Sequence, residues 1–158
     1  MKNSLTIIFI LFFGFSMGQS ITVSSGWSAS VLASTYTEAG SNYTATVSSA
    51  TSQSLVSISG FPINSSYTVR IHKTDIDWNA SLLLAARRRT TGTGGSTGTI
   101  LGTTSYITLS STPQTLYYGN VGNSTGRSNV GVQYRISGRS VLLPAKPYQT
   151  TVVYTVSN

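Results

Sequence analysis

From residue 19 onward, Gly, Pro, Asn and Ser interrupt the chain about every eight to twelve positions, and apolar and polar residues alternate between them. Segments that short suit strands and leave little room for amphipathic helices. Tyr67 to Ile76 is the clearest case. Tyr67, Val69 and Ile71 fall on one face and Thr68, Arg70 and His72 on the other. A period of two marks a sheet with one dry and one wet side. Asn129 to Ile136 repeats the pattern, with Val130, Val132, Tyr134 and Ile136 inward and Gly131, Gln133 and Arg135 outward. The segment Tyr148 to Val156 places Tyr148, Thr150, Val152, Tyr154 and Val156 on one face.

Shorter strands are expected at Ile21 to Val23, continuing through Trp27 to Leu32, and at Asn42 to Val47, Leu55 to Phe61, Ser105 to Leu109, Thr115 to Tyr118 and Ser140 to Leu143. Ala80 to Ala86 is a continuous apolar run that suits a central strand or one short helix; among so many strands it is taken as a strand. Thr90 to Thr99 and Gly119 to Arg127 read as loops. The expected fold is all-β: an antiparallel β-sandwich, immunoglobulin-like or jelly-roll-like, of about eight to ten strands.

The first eighteen residues stand apart. Lys2 precedes an apolar run from Leu5 to Phe15, and Ser16-Met17-Gly18 supplies small residues before the polar Gln19-Ser20. This is the pattern of a secretory signal peptide, residues 1–18, cleaved to leave one domain over 19–158. The run is shorter than the roughly 20 residues that span a bilayer, so no integral membrane segment is expected after cleavage. The expected location is secreted or cell surface. The absence of cysteine at the cleavage point argues against a lipid-anchored lipoprotein.

Cysteine is absent throughout, so thiol catalysis, thiolate zinc and iron–sulfur chemistry are excluded, and packing and ladder hydrogen bonds must stabilise the domain. Only 8% of residues are charged, and the acids are Glu38, Asp75 and Asp77. Three carboxylates and one histidine are too few for positioned acid–base work, and no cofactor is expected. Asp75 and Asp77, side by side on one strand, do not flank a sugar bond as a glycosidase pair must. In an exported chain the basic excess suits lipopolysaccharide, acidic polysaccharide or extracellular DNA, or merely keeps the domain soluble; no specific nucleic acid is expected.

Two clusters are candidate contact sites. Trp78 offers a ring for sugar stacking, with Asp75 and Asp77 beside it to bond hydroxyls or, with loop carbonyls, to hold calcium. The alternatives are core packing for the ring and, for the acids, a strand end where they pair with nearby arginines or cap a turn. Arg87-Arg88-Arg89 is the densest charge in the chain. Its planar forks suit an acidic polymer or a neighbouring subunit, or else blunt a strand edge against aggregation.

Tyr148-Gln149-Thr150-Thr151-Val152-Val153-Tyr154-Thr155-Val156 resembles the closing strand of bacterial secreted β-sandwich subunits, the spore coat protein U-like and chaperone–usher pilin families. The resemblance implies an incomplete immunoglobulin-like sandwich that polymerises when an N-terminal strand of one subunit completes the sheet of the next. The donor would carry Ile21 and Val23, and the closing strand Tyr148, Val152 and Tyr154. This chain departs from those families in lacking a disulfide and in placing Lys146-Pro147 before the tyrosine. The expectation is a non-enzymatic structural or adhesive subunit that associates with itself or other surface subunits. The alternative is a secreted carbohydrate-binding module built on Trp78, Asp75 and Asp77.

Overall fold

The computed structural model describes residues 18–29, 46–144 and 146–158. The expected signal segment up to residue 17, Glu38, the first strand beyond Ala29 and the start of the Asn42–Val47 strand lie outside the described residues.

The described residues form eleven strands: β1 (Ser20–Val23), β2 (Thr46–Ser48), β3 (Ser54–Ser59), β4 (Ser66–Asp77), β5 (Leu83–Arg88), β6 (Thr93–Gly94), β7 (Thr99–Leu101), β8 (Ile107–Thr108), β9 (Gln114–Asn120), β10 (Arg127–Ser137) and β11 (Gln149–Ser157). All pairings are antiparallel, and two sheets pack face to face as a β-sandwich. One sheet runs β1-β3-β10-β5-β8, with β2 and β6 also paired to β10; the other runs β11-β4-β9-β7. The count exceeds the expected eight to ten because two short strands, β6 and β7, form within and at the end of the Thr90 to Thr99 segment expected as a loop.

Alternation explains most of the core. Tyr67, Val69 and Ile71 of β4 are buried against Val56 and Ile58 of β3 and Val130, Val132 and Tyr134 of β10. Phe61, Tyr67 and Tyr117 meet edge to face, with ring centroids 6.3 and 6.2 Å apart. Each such pair contributes about 0.5–1.5 kcal/mol beyond its buried area. In β9 the alternation fails, because Leu116 and Tyr117 are consecutive and both fully buried. The register explains it: Val69 faces Tyr117 and Arg70 faces Thr115, so Leu116 is an extra residue, a bulge that turns neighbours inward together.

Two expected strands shift or vanish. The Ala80–Ala86 run begins its strand only at Leu83, because Asn79 starts a turn: its side chain accepts from the Ser81 N–H at 2.9 Å and its carbonyl from the Leu82 N–H at 2.9 Å. Ser140 to Leu143 is a turn and not a strand, closed by the Leu143 N–H donating to the Ser140 carbonyl at 3.1 Å. Gly138 ends β10 at a φ of 77°, in the left-handed region that favours glycine.

Candidate functional site

Among the described residues the two terminal strands are both sheet edges, β1 in one layer and β11 in the other. Along the side of the sandwich that they border lies a cleft of about 1490 Å³. Trp27, Trp78, Leu84, Ile136, Val152 and Tyr154 give it an apolar wall, and Ile21, Val23 and Tyr148 also line it. This places the five expected assembly residues, Ile21, Val23, Tyr148, Val152 and Tyr154, around one concavity.

β11 pairs with β4 from Gln149 to Ser157, so one edge of this nine-residue strand is bonded and the other has no partner strand among the described residues. Gln149 to Ser157 contains neither charge nor proline, the usual devices that blunt an edge. β1 is different. Ile21 lies opposite Ile58 and Val23 opposite Val56, so the expected donor strand sits on its own chain's β3. It is four residues long and mostly exposed.

A row of hydrogen-bonded side chains crosses the cleft floor. The Tyr134 and Tyr154 hydroxyls are 2.7 Å apart, and the Tyr134 hydroxyl donates to Ser54 Oγ at 2.9 Å. Ser54 Oγ in turn donates to the Ser25 carbonyl. Burial pushes the Tyr154 phenol well above its ordinary pKa, and Tyr134 beside it adds to the rise. Trp27 stacks on Tyr134 with centroids 6.3 Å apart and planes 9° from parallel. No sequence signal identified this arrangement, because Ser25, Ser54, Tyr134 and Tyr154 come from four separate segments.

The Trp78 cluster is largely tied up within the chain. Trp78 is half-buried, lines the cleft and packs on the core. Its Nε1 donates to the Leu82 carbonyl at 2.7 Å, and Lys73 Nζ lies 5.7 Å from its ring centroid. Lys73 donates to Asp75 Oδ1 at 2.6 Å, and Thr150 Oγ1 to the same oxygen at 2.9 Å. The Lys73 hydrogen bond chiefly holds the Asp75 carboxyl below its ordinary pKa. Lys146 donates to Asp77 Oδ1 at 2.6 Å, and that bond raises the lysine's pKa. Among the described residues, no group of three or more His, Cys, Asp or Glu side chains gathers as metal ligands would.

The arginine triplet is divided. Arg87 lies on the outer face, where Nη2 and Nε donate to Gln133 Oε1 at 2.8 and 3.1 Å. Its guanidinium is 4.3 Å from the Tyr106 ring centroid, and that of Arg135 is 4.1 Å from the same centroid. Arg88 points inward and is buried, while Arg89 is exposed. The outer cationic group is therefore Arg87 with Arg135, gathered by strand pairing across 48 positions, and not the contiguous triplet.

No family model, no curated protein and no solved structure matches this chain. Among the described residues, no helix is long and apolar enough to cross a membrane.

Proposed function

We propose that this chain is an exported, non-enzymatic subunit of a bacterial surface or extracellular assembly, and that copies associate through their terminal strands. The observation that carries this reading is the cleft between β1 and β11, bordered on one side by a long strand whose outer edge has no partner strand among the described residues. An extended segment laid on a neighbour's β3, in the place that β1 holds, takes up the same ladder hydrogen bonds and brings Ile21 and Val23 to the cleft lining, with β11 along the other rim. The segment supplied by a neighbouring copy is the N-terminal one, Gln19 to Ser25, with Ile21 and Val23 two apart. Its hold on its own β3 is short, four register pairs at an exposed edge. Exchange of an identical element between copies costs little, because each chain receives from its neighbour the same pairing that it gives up. The likeness of the closing strand to spore coat protein U-like and pilin-type subunits supports the same reading.

Sedimentation and negative-stain microscopy of residues 19–158 test this reading, compared with a form that lacks Gln19 to Ser25. Oligomers or fibres from the longer form and folded monomers from the shorter one support it. A monomer at high concentration from the longer form overturns it.

A second reading rests on the aromatic cleft wall, where Trp27, Trp78 and Tyr148 lie together. In that reading the chain is a carbohydrate-binding module. Oligosaccharide titration followed by tryptophan fluorescence separates the two: a saturable change lost in Trp78→Ala favours sugar. Acidic polysaccharide is the outside partner that suits Arg87 and Arg135 on either reading.

A further inference from the structure

Arg88 and Arg127 are 8% and 6% exposed. A guanidinium does not lose its proton in a protein. Two positive charges are therefore enclosed in one end of the sandwich, where β5 ends and β10 begins. Neither meets a carboxylate among the described residues. The ion pairs among the described residues are Lys73–Asp75 and Lys146–Asp77, near the far end of β4 from Tyr67. Arg127 Nη1 donates to the Thr91 carbonyl at 2.9 Å, and Arg88 Nη2 reaches the Gly102 carbonyl at 3.5 Å. Arg88 Nε, Arg127 Nε and the Tyr117 hydroxyl are buried without a hydrogen-bond partner.

The two guanidinium groups share one neighbourhood. Both act electrostatically on the Tyr67 and Tyr117 phenols, whose rings are 6.2 Å apart. Burial pushes both phenols up, so each stays a neutral hydroxyl and neither supplies the missing negative charge. The wall over Arg127 is glycine backbone. A Cβ on Gly94 would lie 3.2 Å from its guanidinium carbon, and one on Gly98 would lie 3.1 Å from Nη2. An unpaired charge is among the most unfavourable things a protein can bury. Unused N–H and O–H donors beside two such charges describe a site for an anion.

We propose that a small oxyanion of the sulfate, phosphate or carboxylate class binds beside Tyr117, held by Arg88 and Arg127. Guanidinium edges match a pair of oxygens, and the phenol donates to a further lone pair. The bound anion neutralises the enclosed charge and anchors the Thr/Gly-rich segment from Thr91 to Gly102, whose carbonyls already meet both arginines. This site is independent of the terminal-strand cleft and of whether copies assemble.

The test uses folded residues 19–158, dialysed free of polyvalent anions. Sodium sulfate, phosphate and acetate are titrated separately against sodium chloride at matched ionic strength, with calorimetric heat and melting temperature as readouts. A ligand that binds only the native state raises the melting temperature with its concentration. The expected result is a saturable response to at least one oxyanion and none to chloride. Tyr117→Phe keeps shape and charge but removes one donor, and weakens that affinity roughly tenfold. Arg127→Gln abolishes the response. The absence of saturable heat in the unsubstituted protein overturns the proposal. So does an equal response in Tyr117→Phe and Arg127→Gln, which would show general exclusion of the salt from the surface.

Discussion

The hydroxyls of Tyr134 and Tyr154 meet at 2.7 Å and join a central strand of one sheet to the edge strand of the other. Tyr154 belongs to β11, which otherwise bonds only to β4 among the described strands. The contact therefore fixes the distance between the layers at the floor of the cleft. Tyr154→Phe removes one hydroxyl and leaves Tyr134 bonded to Ser54, so it costs about 1 kcal/mol. Tyr154→Ala also removes the ring from the cleft wall and costs about 3 kcal/mol. Urea unfolding of both variants checks the order and the size.

Gly138 ends the central strand where only glycine fits. Its φ is 77°, and a Cβ there would lie 1.9 Å from the Ser81 carbonyl oxygen. Both strain and collision involve backbone, so neither is relieved by a rotamer change. Gly138→Ala is expected to destabilise by roughly 2 kcal/mol or more. A melting temperature within a degree or so of the unsubstituted protein would contradict this account of the turn.

Asp75 sets a small acid-side slope. Its carboxyl is held below its ordinary pKa, first by the Lys73 hydrogen bond, against a lesser upward push from burial. A group whose pKa is lower folded than unfolded adds stability above the unfolded value, and that stability is lost as pH falls through the folded value. The expected stability therefore declines on acidification below about pH 4, and Asp75→Asn flattens that decline. At neutral pH the substitution costs less than about 1 kcal/mol, because the Asp75 side chain is 46% exposed. Denaturant midpoints from pH 2 to 7 give the comparison.

The sheet faces were legible wherever one side is dry: Tyr67, Val69 and Ile71 in β4, and Val130, Val132 and Tyr134 in β10, are buried as their alternation required. The bulge at Leu116 was not legible, since it depends on the register against β4. Gln133 has outward parity but is 8% exposed, because the Ser49 carbonyl and Arg87 cover it from other segments. The division of Arg87 from Arg88 follows from the period of two, which read on this triplet sends neighbouring guanidinium groups to opposite faces. The Lys73–Asp75 pair was likewise readable two residues apart on one face. Lys146 reaching Asp77 across 69 positions was not. Nor was the proximity of Arg127 to Tyr67, which arises only where β10 begins beside β6 and β4 begins beside β9.

Terminal-strand exchange is tested most directly by asking whose β1 lies on whose β3. Ser20 and Ser59 are paired in register, both are exposed, and the chain has no cysteine to interfere. Paired residues on neighbouring strands lie within disulfide range. Chains carrying only Ser20→Cys and chains carrying only Ser59→Cys are mixed unfolded, refolded together and oxidised, and the products are separated by mass. Exchange predicts a dominant disulfide between one chain of each kind, and intermolecular links in refolded Ser20→Cys/Ser59→Cys double variants. If mixed links stay at the level of random collision and the double variant closes only within single chains, β1 completes its own sheet and the assembly account is wrong.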